Sequence, residues 1–306
     1  MSGAAIATVA IPIVIAILQA SAVRAQFETD WQTRAGGKLA FEVSSVKPTR
    51  GAIATSNVSL TPWDDYSGTN GRFIADAPLS AYIEFAYKLW PNELQSREFS
   101  HLPNWADTDR YSIEARAATT NLNKDQIRLM VQSLLADRFQ LSAHFASQEV
   151  PVFELKLVKA GKPGPKLVPH SDGPPCDKPG ASPGRGLPGF PVDCHSLSAI
   201  DVPDTRLILF GSRDVTMDVL AGTLSGAVRM GRPVIDKTGL TGRFDFTLEW
   251  AREPRTPATS ESPAPSTADG PTPLEALRDQ LGLKLEPAKA SIPILFIDQV
   301  AKPSAN

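Results

Sequence analysis

Arg110-Tyr-Ser-Ile-Glu-Ala-Arg-Ala117 returns later in the chain as Arg243-Phe-Asp-Phe-Thr-Leu-Glu-Trp-Ala251. Both stretches alternate apolar with polar residues, the period of a strand with one buried face. A capped amphipathic segment follows each of them. An alternating stretch comes next, and then a second one that opens Val150-Pro-Val-Phe or Ile292-Pro-Ile-Leu. Internal repetition constrains architecture before any motif is read. It predicts an α+β fold of two tandem related modules of βαβ type, each with helices packed on a small mixed sheet.

Working outward, Phe41-Glu-Val-Ser-Ser-Val46 reads as a strand that stops at Pro48, and Arg72-Phe-Ile-Ala75 as a short one. Leu79, Tyr82, Ile83, Ala86 and Tyr87 build one helical stripe closed by Pro91. Asn123 with Gln126 is a capping box ahead of Ile127, Met130, Val131 and Leu134. Residues 139–145 and 150–158 alternate, and predict a hairpin turning across Ser147-Gln148-Glu149. In the second copy Thr216 caps a helix with Met217, Leu220, Ala221 and Leu224 on one face, and Pro233-Val-Ile235 reads as a short strand. Thr272-Pro-Leu-Glu275 then starts a helix whose Leu274, Leu277 and Leu281 face inward and which Gly282 ends. Leu283-Lys-Leu285 and Ile292 to Val300 repeat the hairpin.

The expected boundaries follow: a signal peptide at 1–25, a flexible lead-in at 26–40, and a first module with its N-terminal strand at 41–160. A Pro/Gly-rich connector takes 161–206. The second module takes 207–306, with a low-complexity, disordered insert at 252–271. The signal peptide rests on the short apolar run at 6–18 and on Ala22-Val-Arg-Ala25 before Gln26. It predicts a periplasmic or secreted protein with no transmembrane domain after cleavage. The n-region carries no Lys or Arg, which leaves retention as an anchor open. In an exported protein Cys176 and Cys194 read as a disulfide. It would close the connector and contribute roughly 3 kcal/mol in the chain-entropy model. A metal or redox site using His170 and His195 is the sharper alternative. It lacks a second Cys-x-x-Cys, and no metal is expected.

A formal charge of −2 offers no electrostatic reason to expect nucleic acid or an anionic membrane as partner. Asp236-Lys-Thr-Gly-Leu-Thr241 is close to a P-type ATPase phosphorylation signature, but a tight turn explains its Asp, Thr and Gly equally well. Lys237-Thr-Gly239 and Ser44-Ser-Val-Lys47 match elements of penicillin-interacting serine enzymes. Ser44, however, sits in a strand pattern where that chemistry needs a helix start. His101, His144, His170 and His195 show no metal spacing. Glu114 and Glu249 read as outward strand residues, and Trp63, Trp90, Trp105 and Trp250 as core or rim packing. No catalytic residue and no cofactor is indicated.

Phe41-Glu-Val-Ser-Ser-Val-Lys-Pro, the stretch Leu102 to Ala115, Leu134-Leu-Ala-Asp-Arg-Phe and the string from Gly231 to Leu248 carry a resemblance. Together they resemble the Solibacter-type family of secreted bacterial proteins of unknown function, abundant in soil acidobacteria. Some members of that family are joined to membrane metallopeptidase sensors, which implies a role in envelope sensing. Each half is also similar to the short N-terminal domains of secretins and TonB-dependent receptors, which implies protein contacts. The resulting expectation is a non-enzymatic binding or sensing protein whose partner is an envelope protein or a small ligand. The alternative is a periplasmic hydrolase or transferase with its site between the modules.

Overall fold

The computed structural model describes residues 31–303, apart from 51–55, 64, 67, 91–101, 173–175, 177–193, 196, 203, 228–230 and 253–269. The fold is mixed α+β. In chain order come β1 (Val43–Thr49), β2 (Arg72–Pro78), α1 (Leu79–Tyr87), α2 (Trp105–Thr108), β3 (Arg110–Arg116), α3 (Lys124–Arg138) and β4 (Ser142–Leu157). There follow β5 (Leu167–Pro169), β6 (Leu197–Asp201), β7 (Leu207–Val215), α4 (Met217–Ala227), β8 (Val234–Asp236), β9 (Phe244–Ala251), α5 (Pro273–Leu281) and β10 (Leu283–Gln299). The sheets are β1-β3-β2, β5-β9-β7-β6 and β10-β4-β8.

The first sheet is antiparallel throughout, with β3 between β1 and β2. The strand pattern at residue 43 runs on through Pro48, because β1 is an edge strand and a missing N–H costs nothing on its open side. Phe73, Ala75, Ala77, Tyr111, Ile113 and Ala115 turn inward against α1 and α3. The Tyr82 hydroxyl lies 2.8 Å from the carbonyls of both Ala75 and Tyr111, and burial pushes its pKa up. The Asn123–Gln126 capping box forms at the start of α3. Arg128, fully buried on that helix, donates to the carbonyls of Thr61 (3.1 Å) and Trp63 (2.8 Å). Lys124 adds bonds to the Trp63 carbonyl and to Asp65, so two buried cations hold the loop before β2 in place.

In the second sheet β9 lies between β7 and the short β5, and β6 extends the far side. Both β5 and β6 fall within the Pro/Gly-rich stretch at 161–206, where composition alone indicated no elements. Their side-chain pattern is too short to register a period. Phe210, Phe246, Leu248 and Trp250 meet Met217, Leu220, Ala221 and Leu224 of α4 and Ala276, Leu277 and Leu281 of α5. Thr272 and Glu275 form the second capping box, and Gly282 ends α5 at φ 67°. Leu274 does not face inward: it is 49% exposed, and Ala276 takes the buried place. The small side chain lets α5 approach β9, where the Gln280 amide donates to the Glu249 carbonyl and accepts its N–H.

Neither expected hairpin exists. β4 and β10 are single long strands that pair with each other from Leu283↔Leu157 to Gln299↔Ser142. Ser147-Gln148-Glu149 offers no residue suited to a positive-φ turn, and the alternation continues straight through it. Pro151, Pro287 and Pro293 share the parity of Phe153, whose N–H points away from β10 to the Pro233 carbonyl. All three prolines therefore leave the pairing between the two strands intact. The ribbon serves both cores. Phe145, Leu295 and Ile297 belong to the first, while Leu155, Leu283 and Leu285 belong to the second.

The signal segment, residues 26–30 of the lead-in, His101, Pro91 and residues 253–269 of the insert lie outside the described residues; the rest of the lead-in, expected to be flexible, opens with a helical turn at 31–34 that buries Ala35. The chain on either side of the insert is drawn together, with the Ala251 N–H donating to the Pro271 carbonyl (2.8 Å). Added length at such a point costs little closure entropy. Among the described residues no helix is long and apolar enough to cross a membrane.

Candidate functional site

A cleft of about 610 Å³ opens where α4 and β8 meet the middle of the ribbon. Ala290, Ser291, Ile292 and Pro293 form its floor, and Glu154, Val234, Ile235, Asp236 and Lys237 one wall. Opposite stand Asp218, Ala221 and Gly222 of α4, with Trp90 laid on Gly222. A Cβ at Gly222 would come 2.1 Å from the indole, so the ring packs there because the helix has no side chain at that position. Burial, with Asp236 nearby, raises the pKa of Asp218. Asp236 accepts the Thr238 N–H at 2.8 Å, which makes Asp236-Lys-Thr-Gly a turn, with Gly239 at φ 70°. Lys156 lies 2.6 Å from Glu154 and 2.9 Å from Glu286, and Lys156 together with Lys284 holds the Glu286 carboxyl down to about 2. Among the lining side chains Glu154, Asp218 and Asp236 stand against Lys237, and with Glu154 already paired to Lys156 it is Asp218 and Asp236 that make the lining acidic, beside an aromatic face.

A second polar cluster lies at the end of β7. The register of β7 on β9 shifts between Ser212 and Val215, and the bulge turns Arg213 and Asp214 out opposite Asp245. Asp245 accepts the Asp214 N–H (2.9 Å), lies 2.7 Å from His170 Nδ1 and pairs with Arg213 at 3.5 Å. Arg243 reaches Asp214 Oδ1 at 2.5 Å and also donates to the Asp214 carbonyl. His195 Nδ1 stands 3.1 Å from Arg243 and 3.3 Å from Asp214. Cys176 and Cys194 are at disulfide distance, with Cα atoms 6.0 Å apart, and Cys176 Sγ lies 3.5 Å from His170 Nε2. A ring nitrogen of His170, the Cys176 sulfur and a carboxylate oxygen of Asp214 lie within 4.8 Å of one another, a spread that suits one cation. With its sulfur at disulfide distance from Cys194, and Asp214 engaged by Arg243, this set is a poor metal site.

The family model described as "Protein of unknown function (DUF3738)" matches residues 80–300. The chain belongs to the DUF3738 family. No curated protein and no solved structure matches it. The match takes in both polar sites: every residue of the cleft, and every residue of the cluster at β7, falls between 80 and 300.

The structure thus gathers His170 and His195 beside the two cysteines, and leaves the other tempting residues apart. Ser44 lies in β1 as its pattern required, and Glu114 is exposed on β3. Glu249 meets α5 through its backbone. His144 pairs with Asp298 at 2.8 Å and stacks on Phe296. Trp105 and Trp250 pack in the cores. Trp90 alone of the four tryptophans lines the cleft among the described residues. Sequence reasoning missed Arg213, Asp214 and Asp218. Asp236, Arg243 and Asp245 were in view as parts of the string from Gly231 to Leu248, but their shared location needed the fold.

Proposed function

We propose that this DUF3738 protein is an exported envelope protein, built from two related α+β modules, that binds an amine-bearing ligand in the acidic cleft beside Trp90. The observation that carries the binding reading is the cleft itself: an aromatic face with Asp218, Asp236 and Glu154 around it. A cation placed there gains carboxylate partners and a ring face together. Its chemical class is a small amine, or a lysine or arginine side chain presented by an envelope protein. The raised Asp218 beside Asp236 also suits a general acid–base pair, which supports the second reading of a hydrolase.

Duplication is supported by equivalent contacts in the two halves. Arg110 reaches Asp76 Oδ1 (3.0 Å) and the Asp76 carbonyl (2.6 Å), as Arg243 reaches both groups of Asp214. Leu79, Tyr82, Ile83 and Ala86 of α1 are buried at the spacing of Met217, Leu220, Ala221 and Leu224 of α4. The disulfide-distance cysteines are consistent with an oxidising compartment. A Cys176–Cys194 bridge and cleavage before Gln26 belong to the same proposal. N-terminal sequencing and alkylation of the exported protein without reductant test them.

Thermal shift against a panel of polyamines, amino sugars and lysine- or arginine-containing peptides tests the cleft. At least one class should raise Tm, and D236N or W90A should weaken that binding about tenfold or more. A panel that leaves Tm unmoved, or binding indifferent to both substitutions, would remove the reading. Turnover of a bound compound that D218N abolishes would favour the hydrolase.

A further inference from the structure

We infer that Cys176 and Cys194 form an exchange-active disulfide, in which His170, steered by Asp245, receives Cys176 as the leaving thiolate. The inference rests on the pairing proposed above. Three groups around the bridge exceed what the fold requires. The Asp–Arg clasp at the head of the strand pair occurs twice, as Asp76–Arg110 and as Asp214–Arg243, so Asp214 and Arg243 have a structural reason to be there. Asp245, Arg213 and His170 do not. The residue in the place of Asp245 on β3 is Ser112, two positions past Arg110, and it pairs with Asp76 without a bulge. In the second half the bulge at Arg213 and Asp214 instead points a backbone N–H and a guanidinium at Asp245.

That arrangement orients one imidazole. Asp245 takes the hydrogen bond of His170 Nδ1 at 2.7 Å, so Nε2 is the nitrogen that faces sulfur, 3.5 Å from Cys176 Sγ. The His170 backbone N–H is itself tied to the Arg243 carbonyl at 2.9 Å, which sets the ring beside β9. Cys194 instead sits on the bulged strand, in a bridge to Arg213. Both cysteines are half-buried, so an incoming thiol has access. The Asp214 carboxylate also lies within 4.8 Å of Cys176 Sγ, but Arg243 pairs with it, so the His170 ring is the group that favours a thiolate at Cys176 and makes its sulfur the better leaving group.

The exchange partner is a dithiol. One of its sulfurs, as thiolate, attacks Cys194 Sγ and forms a mixed disulfide there. The Cys176–Cys194 bond breaks, and its electron pair departs on Cys176, where protonated His170 Nε2 stabilises the thiolate. The second sulfur of the dithiol then displaces Cys194. The dithiol leaves as a disulfide, and two electrons and two protons have passed to the protein. In reverse, the Cys176 thiolate is the attacking group.

Single-cysteine variants isolate the thiolate whether or not the bridge forms, so failure of the pairing and failure of this inference are distinguishable. Alkylation of C194S by iodoacetamide at pH 6 should run about ten times faster than alkylation of C176S, because Cys176 is already largely thiolate. H170Q in the C194S background should remove most of that advantage and shift the pH–rate midpoint upward, and D245N should remove part of it. The C176S control also lacks the bridge, which separates a loss of fold from a loss of activation. Equal rates for the two single-cysteine proteins, or a C194S profile unmoved by both H170Q and D245N, would overturn the inference.

Discussion

Glu84 is a residue whose charge the fold resists. It sits on α1, and burial, assisted by Asp107, pushes its pKa up from 4.5 to about 7. A raised carboxyl pKa means that the folded state prefers the proton. The stability linked to this group is therefore whole in acid and is lost as pH climbs from about 4.5 to about 7. E84Q should match the wild type in urea midpoint near pH 4.5, and exceed it at pH 8.5 by on the order of 2 kcal/mol. A constant difference across that range would show that Glu84 does not titrate with folding. Arg128 illustrates the opposite solution, a buried cation kept charged by two carbonyls and by Asp125. The chain accommodates one charge by satisfying it and the other by neutralising it.

At the scale of the element, the ribbon of β4 and β10 depends on where its prolines fall. Up to the register shift between Ile297 and Gln299, residues with odd numbers in either strand turn their N–H outward, and Pro151, Pro287 and Pro293 are all of that set. A proline at Lys289, opposite Pro151 on the open edge, should be tolerated, with a loss well under about 1 kcal/mol. A proline at Ala288, opposite Val152, removes a bond within the pair and should cost about 3 kcal/mol or more. Chemical denaturation of K289P and A288P checks the contrast, and equal losses would mean that the two strands are not paired in this register. Two helix starts were fully readable: Asn123 and Thr272 form both bonds of their capping boxes. Caps are legible because their partners lie three residues away. Leu274 was misread because which face of α5 is buried depends on β9, from a different part of the chain.

For the whole molecule, the ribbon means that neither half owns a complete core. Leu295 and Ile297, at the end of the chain, close the core built on β3, and Leu155, from the first half, closes the one built on β9. Fragments 31–165 and 207–303 should each fail to give a cooperative thermal transition alone, and should recover one when mixed. Circular dichroism of the separate and combined fragments checks this. A fully folded isolated fragment would show that the exchanged segments are dispensable.

What the sequence by itself determined are the features with short reach: an α+β chain, the period of the longer strands, the two capping boxes, the turn at Asp236-Lys-Thr-Gly, and the positive-φ stop at Gly282. Only the tertiary structure decided which strands pair. Alternation specifies a buried face but not a partner, so two continuous ribbon strands and two local hairpins carry the same pattern. It also decided the sites. Trp90 meets Gly222, and His170 meets Asp245 and Cys176, through contacts that no local spacing encodes. Side chains that converge from separate elements become one site only when burial of the apolar faces has already brought those elements together.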